Sequence, residues 1–331
     1  MNQPKTPRIL SGVQPTGKLH LGNYFGAIKQ HIALQEHGEC FYFLADYHSM
    51  TTIQDSSLRS QLTHDAALDY LALGLNPQQA VFFRQSDVPE VCELAWVLAT
   101  VIHMGLLERA HSYKDKLAKG FEASVGLFTY PILMAADILI YRSHLVPVGE
   151  DQIQHIEITR DIAEKFNRIY GPVFPLPAPK LDAGAKVPGI DGQKMSKSYG
   201  NTIDIFAEGK ALKKAVMSIV TDSTPVEAPK DPSQCTVFTL YSLFATAEEQ
   251  SALAQRYRAG GMGYGEAKSM LLARIDNYFA PFRARRVHLA HHPEDVERVL
   301  QLGAERARAE ARHTIDLVRE AVGFKSSPKP A

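Results

Sequence analysis

The stretch of this 331-residue sequence with the plainest chemistry is Lys194-Met195-Ser196-Lys197-Ser198, in which two lysines are separated by Met195 and Ser196. Gly192 precedes it and Gly200 follows it, which predicts a loop. Lysine ammonium groups on a loop can close over a polyphosphate and stabilise the charge that develops on it. A lysine pair alone is more often a solvated turn, so this interpretation depends on a second stretch.

That second stretch is residues 12–18, which have the glycine and lysine spacing of a nucleotide-binding P-loop. The apolar residues before it predict a short buried strand, and from Leu19 apolar residues follow helical spacing to about residue 34. A strand, a glycine-bearing loop and a helix N-terminus together favour a phosphate site. In a P-loop, serine or threonine follows the lysine, whereas Leu19 follows here and Pro15 removes a backbone donor. A P-loop NTPase therefore stays open as an alternative.

A third candidate site consists of Tyr130, Met134 and Asp137, which share one face of a predicted helix over 124–141. An aspartate among alanine, isoleucine and leucine side chains is costly to bury unless a donor satisfies it. A ligand N–H is one such donor, and an indole ring carries one. Pairing with Arg142 or with a lysine is the structural alternative.

The first half of the chain alternates strand and helix patterns. Strands are expected at 40–46, 80–83 and 145–148, and helices at 56–73, 89–101 and 151–170. This order predicts an α/β fold with a Rossmann-like parallel sheet, in which ligands bind at the carboxyl ends of the strands. Asp46, at the end of an apolar strand, also imitates the metal-binding aspartate of a P-loop NTPase.

Residues 172–193 are rich in proline and glycine and predict an irregular connection, while beyond Ala207 the pattern is almost wholly helical. We therefore expect a catalytic domain over 1–203, with a helical insertion at about 88–125 and the lysine loop at 192–200. A helical domain should follow over 204–324, and 325–331 should form a disordered tail.

The composition of the chain restricts the kinds of site it can carry and the compartment in which it is expected. The chain has 36 basic and 36 acidic residues, so any polyanion site must be local. Its three cysteines, Cys40, Cys92 and Cys235, lack paired spacing, which disfavours a disulfide framework or a zinc site and suits a reducing cytosol. With neither a signal-peptide core nor an apolar run of membrane-spanning length, we expect a cytoplasmic protein without membrane contact.

Taken together, residues 15–23 and 194–198 resemble the paired signatures with which class I aminoacyl-tRNA synthetases hold ATP. The segments 135–141 and 146–155 are similar to those of the tryptophanyl-tRNA synthetase branch, and the likeness runs from about residue 8 to residue 324. The resemblance implies ATP-dependent activation of L-tryptophan with Mg²⁺, transfer to tRNA(Trp), and a homodimer. A tyrosine-activating relative differs least from this expectation, mainly around Asp137; a non-enzymatic paralogue would usually have lost the signature residues.

The resemblance also implies roles for individual residues. Catalytic residues would be His20, Lys116, Lys194 and Lys197. Those that bind ATP would be Gln14, Pro15, Thr16, Gly22, Asn23, Gly149, Glu150, Asp151, Val187, Lys194, Met195, Ser196, Lys197 and Ser198. Those that bind tryptophan would be Gly12, His48, Tyr130, Met134, Asp137 and Gln152. His20 stands where many bacterial tryptophan enzymes have threonine, and Asn23 replaces the signature's final histidine. Asp151 could equally be a helix N-cap.

A subgroup of the family carries a four-cysteine iron–sulfur site in the helical domain. Here Cys235 is the one cysteine at such a position, and Arg258, Gly265 and Lys268 stand at the other three. We therefore expect no iron–sulfur cluster, and no zinc or other resident metal.

The last predicted helix, at about 293–322, carries several arginines that could contact tRNA phosphates. They are Arg298, Arg306, Arg308, Arg312 and Arg319. The alternative is pairing along the helix with Glu305 and Glu310.

Overall fold

Five parallel strands form one sheet in the computed structural model, which describes residues 6–15, 17–108, 124–181 and 186–325. The strands are β1 (Arg8–Val13), β2 (Glu39–Leu44), β3 (Ala80–Arg84), β4 (Leu145–Val148) and β5 (Ala178–Leu181). Their order is β3-β2-β1-β4-β5, and every neighbouring pair is parallel. The order reverses at β1, so the predicted Rossmann-like sheet is confirmed and has its ligand-binding crevice beside β1 and β4.

The helices of the first half lie between the strands. Helix α1 spans 21–36, with its middle turn, Tyr24–Ile28, wound as a π-helix that the sequence pattern did not predict. The others are α2 (Asp46–Ser49), α3 (Ser56–Ala72), α4 (Glu90–Ala99), α5 (Met104–Leu107), α6 (Val125–Ile140) and α7 (Ile153–Tyr170). The predicted insertion at 88–125 thus contains α4 and α5 in its described part.

Beyond 207 the described residues form helices and no strand, as predicted, apart from an irregular stretch over 218–231. Five helices follow the sheet: α8 (Gly209–Met217), α9 (Thr236–Ser242), α10 (Ala247–Ala259), α11 (Tyr264–Ala290) and α12 (Pro293–Ala321). None of the helices in the described ranges combines the length and apolar character that a membrane span requires.

Two local predictions were wrong. The Pro- and Gly-rich segment expected to be an irregular connection contains β5, an edge strand that pairs with β4. Pro179 is tolerated there because an edge strand can do without a backbone donor. Helix α7 begins at Ile153, not at Asp151, because one 3₁₀ turn over Glu150–Gln152 precedes it.

The sheet has a hydrophobic core on each face, because successive strand residues point to opposite sides. Ile9, Tyr42 and Phe82 contribute to one core, together with residues of α11 such as Phe279. Leu10, Phe41 and Phe83 contribute to the other, which α12 completes with an apolar stripe: Ala304, Ala307, Ala311, Ile315 and Val318. The helical region 204–324 therefore packs against both faces of the catalytic sheet.

Helix α12 approaches β3 so closely that a Cβ added at Gly303 would lie 1.8 Å from the carbonyl oxygen of Phe82. Arginines of α12 hold it there: Arg308 and Arg312 donate to Glu90, and Arg319 donates to Glu93 at 2.6 Å. For these three arginines the alternative of pairing along the helix was wrong, since their partners belong to α4, and contact with tRNA phosphates stays a prediction.

Three further residues of α12, Arg298, Arg306 and Glu310, also have partners. Arg306 donates to the Pro77 carbonyl at 3.2 Å, and Arg298 pairs with Asp295 at 3.4 Å. Glu310 accepts from Arg8 at the start of β1. The charges of this helix therefore serve largely to fix it against the rest of the chain.

Candidate active site

The two signature stretches meet at the start of α1. The backbone N–H of Leu21 donates to Ile203 at 3.0 Å, and the N–H of Ile205 donates to Leu19 at 3.1 Å. These bonds run on both sides of a bridge between His20 and Asp204. The chain that leaves the lysine loop is thereby paired with the chain that enters α1.

Side chains draw the same two stretches together. Lys197 Nζ donates to the Gly17 carbonyl at 3.1 Å, and the Gly22 N–H donates to Met195 Sδ at 3.4 Å. A Cβ added at Gly22 would lie 3.0 Å from the His20 ring and 3.3 Å from Met195 Cβ. The two signatures thus approach closely at Gly22, where a side chain would be tightly placed. We call this contact region the signature junction.

His20 is a buried, neutral group of the junction. Its Nδ1 accepts the Asn23 N–H at 3.3 Å, and Asn23 Oδ1 accepts the His20 N–H at 3.2 Å, so the two residues cap α1 reciprocally. Burial, with a contribution from the Lys197 charge, lowers the pKa of His20 to about 4. At neutral pH the ring proton is therefore on Nε2, and His20 offers a phosphate a hydrogen bond but no charge.

Asn201, which the sequence analysis missed, shapes the lysine loop. Its Oδ1 accepts the Ser196 N–H at 2.8 Å, and its Nδ2 donates to Asp191 Oδ1 at 2.8 Å and to the Lys194 carbonyl at 3.2 Å. A Cβ added at Gly189 would lie 2.3 Å from Asn201 Nδ2, so the amide fills a space left by that glycine. A polar residue directly after Gly200 was the available signal.

A cavity of about 570 Å³ opens at the carboxyl ends of β1, β2 and β4. Six residues predicted to bind tryptophan line it: Gly12, His48, Tyr130, Met134, Asp137 and Gln152. Gln14 and Gly149, both assigned to ATP, line it as well. The predicted face of α6 is thus confirmed as a cavity wall, and the cavity reaches the loops next to the signature junction.

Asp137 is the buried charge of this cavity, with 3% of its surface exposed. His48 Nε2 lies 2.8 Å from Oδ2, and Gln85 Nε2 donates to both carboxylate oxygens at 2.8 and 2.9 Å. Burial raises the pKa of the Asp137 carboxyl, and the hydrogen bonds from His48 and Gln85 oppose that rise. The partners are therefore these two residues, not the Arg142 or lysine of the structural alternative.

Tyr130 and Gly12 shape two walls of the cavity. The Tyr130 hydroxyl hydrogen-bonds to Nε2 of the buried His155, another residue that the sequence analysis missed. A Cβ added at Gly12 would lie 2.6 Å from the Phe43 ring, so glycine lets that ring pack against the end of β1. The signal for His155 was its place at the end of the segment 146–155.

The remaining predicted ATP residues are placed less tightly. The Val187 carbonyl accepts the Met195 N–H at 3.0 Å, Ser196 Oγ accepts the Ser198 N–H at 3.3 Å, Pro15 is buried, and Glu150 and Lys194 are exposed. Thr16 and Lys116 lie outside the described residues. Of Asp151 the structure describes the backbone, in the 3₁₀ turn that leads into α7.

Asp46 is not placed as a P-loop NTPase would need it. Its Oδ1 accepts the N–H groups of Tyr47 and Ser86, each at 3.0 Å, and its Oδ2 accepts the Ser86 hydroxyl. The carboxylate thus fixes the loop after β3, and the resemblance to the metal-binding strand of an NTPase is superficial.

Comparison with known proteins agrees with this geometry. The family model "tRNA synthetases class I (W and Y)" matches residues 2–280. A tryptophan–tRNA ligase of Rhodopirellula baltica is 54% identical over 319 residues, which are 96% of this chain and 100% of the relative. A crystal structure of tryptophanyl-tRNA synthetase from Campylobacter jejuni, complexed with ADP and tryptophan, is 50% identical with a TM-score of 0.92, and the match covers 96% of this chain and 100% of that one.

A tyrosyl-tRNA synthetase from Archaeoglobus fulgidus, complexed with L-tyrosine, shares the fold alone. Its TM-score is 0.65 and its identity 19%, over 86% of this chain and 91% of that one. The high identity to the tryptophan relatives extends over nearly the whole of both chains. The chain belongs to the tryptophan–tRNA ligase family of class I tRNA synthetases.

Proposed function

We propose that this enzyme condenses L-tryptophan with ATP, bound as its magnesium complex, and then transfers tryptophan to tRNA(Trp). One observation carries the proposal. A single cavity joins the buried Asp137 carboxylate to Gln14 and Gly149, at the ends of the strands where ATP is expected. Such a cavity can bring an amino-acid carboxylate to a nucleotide phosphate.

The amino-acid side chain is recognised at the Asp137 end. The indole ring has one hydrogen-bond donor and no acceptor, and the Asp137 carboxylate is an acceptor. Leu10, Phe43 and Val146 supply apolar lining for the ring. Because buried polar groups left unpaired are costly, an amino acid without a donor at this place is rejected.

The chemical step needs positioning and charge stabilisation. A tryptophan carboxylate oxygen attacks the α-phosphorus in line, the new P–O bond forms, and the bond to the leaving pyrophosphate breaks. Lys194 and Lys197 stabilise the charge on the phosphates, while Nε2–H of His20 donates a hydrogen bond. Mg²⁺ arrives on the ATP phosphates, in keeping with its preference for phosphate oxygens and water. Lys116 is assigned to the same triphosphate by the resemblance.

The proposal extends to the division of the chain and to its partners. Residues 1–203 carry out the chemistry, and the helices of 204–324 bind the tRNA anticodon arm. We propose a cytoplasmic homodimer that uses the α4–α6 side of the catalytic region, where Trp96, Met104 and Val125 are exposed by 73, 66 and 77%. Large apolar side chains exposed on neighbouring helices are typical of a subunit interface.

The test is ATP–pyrophosphate exchange, measured without tRNA against each of the twenty amino acids. We expect exchange with tryptophan alone. Exchange with tyrosine would keep the mechanism and overturn the role of Asp137, and amino-acid-independent ATP hydrolysis would favour the NTPase. Bound ATP without exchange would favour a non-enzymatic tRNA-binding protein.

A further inference from the structure

Gln85 lies directly after β3, in contact with Asp137 and 2% exposed. The cavity lining includes Asp137 but not Gln85, among the residues that the structure describes. Its side chain therefore supports the carboxylate without touching a ligand in the cavity. Neither the signature stretches nor the resemblance drew attention to it.

The backbone of α2 fixes the orientation of the Gln85 amide. Gln85 Oε1 accepts the N–H of Tyr47 at 3.1 Å and the N–H of His48 at 3.4 Å. Two N–H donors face this end of the amide, so it must be the carbonyl oxygen, and the NH₂ group must face Asp137. A flipped amide would point NH₂ hydrogens at N–H groups and a carbonyl oxygen at a carboxylate.

We propose that Gln85 is a positioning residue that keeps Asp137 a pure hydrogen-bond acceptor, and so makes the cavity selective for side chains whose polar group only donates. Gln85 and His48 both donate to the carboxylate, and neither offers it an acceptor. Asp137 lines the cavity, where its remaining lone pairs can accept a hydrogen bond from a ligand. This inference rests on the proposed function, in which the indole N–H is that donor.

The charges around Asp137 show why the support matters. Asp46 raises the pKa of the Asp137 carboxyl in addition to burial, whereas His48 and Gln85 lower it. The ionised carboxylate in turn contributes to raising the pKa of Cys92 and of Tyr141. Without the Gln85 donors the carboxyl takes up a proton at higher pH. A protonated Asp137 presents a hydrogen to the indole N–H, and recognition fails.

The first experiment compares Gln85→Met with Gln35→Met in tryptophan-dependent ATP–pyrophosphate exchange. Gln35 is a matched control, since its Nε2 donates to the Gly74 carbonyl at 3.2 Å and its Oε1 accepts the Asn76 N–H at 2.8 Å, away from the cavity. We expect Gln85→Met to raise KM for tryptophan by about tenfold, the usual scale for a lost hydrogen bond to a charge. KM for ATP should stay the same in both variants, and Gln35→Met should also keep its KM for tryptophan.

The second measurement is the pH profile of kcat/KM for tryptophan. In Gln85→Met the fall on lowering the pH should begin at a higher pH than in the wild type, because Asp137 protonates earlier. A purely structural loss would move the whole profile down without changing the pH at which it falls. The tyrosine-to-tryptophan ratio of kcat/KM should also rise, since a protonated Asp137 can donate to a phenol oxygen.

Gln85→Glu keeps the result interpretable if the methionine variant does not fold. This change retains the acceptor for Tyr47 and His48 but places a second carboxyl against Asp137, so the pair shares a proton. We expect the same selective rise in KM for tryptophan. Equal shifts of both KM values, or a KM for tryptophan like that of the wild type, would overturn the inference.

The wild-type reaction separates the two proposals. If the wild type activates tryptophan and Gln85→Met does so equally well, the role of Gln85 is wrong and the function stands. If the wild type activates no tryptophan, the proposed function fails, and the inference fails with it.

Discussion

The Asp137 end of the cavity and the signature junction are built in opposite ways. Asp137 is buried and receives hydrogen bonds from His48 and Gln85 before any ligand is bound. At the junction Lys194 is exposed, and Lys197 donates to a backbone carbonyl, that of Gly17, which carries no charge. The acceptor for the amino acid is thus held inside the fold by its own hydrogen bonds, whereas both lysines lie at the surface.

Because of this difference, substitutions in the two regions should affect different steps of the reaction. An incorrect amino acid leaves one lone-pair site of the buried carboxylate without a donor, which costs about 1–3 kcal/mol and gives specificity. Lys194 and Lys197 are exposed, so their largest effect is expected where charge develops during the reaction. Changes at the two ends should therefore separate substrate binding from chemistry.

The largest effect is expected for Lys197→Ala. Removing a cation that stabilises developing phosphate charge should lower kcat for exchange by about 10²–10³-fold, the scale seen when one oxyanion donor is removed. KM for tryptophan should hardly change, because the indole site is untouched. Lys268→Ala is the control, since its Nζ also donates to a backbone carbonyl, that of Met217 at 3.0 Å. Equal losses in kcat and in tryptophan binding would contradict the separation.

Asp137→Asn tests the other region. The asparagine NH₂ group would face the donors of His48 or Gln85, so we expect kcat/KM for tryptophan to fall by about 10–100-fold with KM for ATP unchanged. Asp69→Asn is the matched control. Asp69, on α3, is also buried, and its carboxylate accepts a hydrogen bond from Arg286 Nε at 2.6 Å. The control variant should lower stability in urea unfolding and leave KM for tryptophan alone.

Gly22→Ala tests whether the signatures must touch. The added Cβ meets the His20 ring at 3.0 Å and Met195 at 3.3 Å, so these neighbours must shift by a few tenths of an ångström. We expect kcat for exchange to fall by about tenfold, since small misplacements of positioned groups are costly. Gly26→Ala, in the same helix, has open space around its Cβ and should keep the wild-type rate. A wild-type rate for Gly22→Ala would show that the contact is dispensable.

The sequence predicted the parts of the site that lie on one element. Tyr130, Met134 and Asp137 share a face because helical spacing alone dictates it, and the structure puts all three in the cavity. Gln85 was missed because its contact with Asp137 spans 52 residues and depends on the position of β3 two strands away from β1. The residues next to Gln85 have the pattern of an ordinary strand end, which does not indicate a contact with Asp137.

For the fold, too, the sequence predicted the individual elements but not the contacts between distant ones. Alternating apolar patterns located four of the five strands, but the Pro179 signal for a loop outweighed the short pattern of β5. The arginines of α12 were visible as a charged face, yet their partners Glu90 and Glu93 lie more than 200 residues away in the sequence. Such pairings follow from how helices pack on the sheet, and residue types along one helix cannot specify them.

The smallest effect concerns stability at the junction, through His20. Its pKa is about 4 in the folded chain and 6.5 in the reference state, so the unfolded chain binds more protons between these values. The unfolding free energy therefore falls as the pH drops from 6.5 towards 4, by about 2 kcal/mol at pH 5 from this group. His20→Asn should remove that loss while its side-chain oxygen still caps α1.

Urea unfolding at pH 7 and pH 5 measures the effect, with the exposed His37→Asn as the control. The variant should lose less stability between the two pH values than the wild type and the control do. An unchanged difference would mean that the His20 ring is solvated in the folded chain. The signature junction would then be exposed to solvent as far as His20, and it would differ even more from the buried surroundings of Asp137.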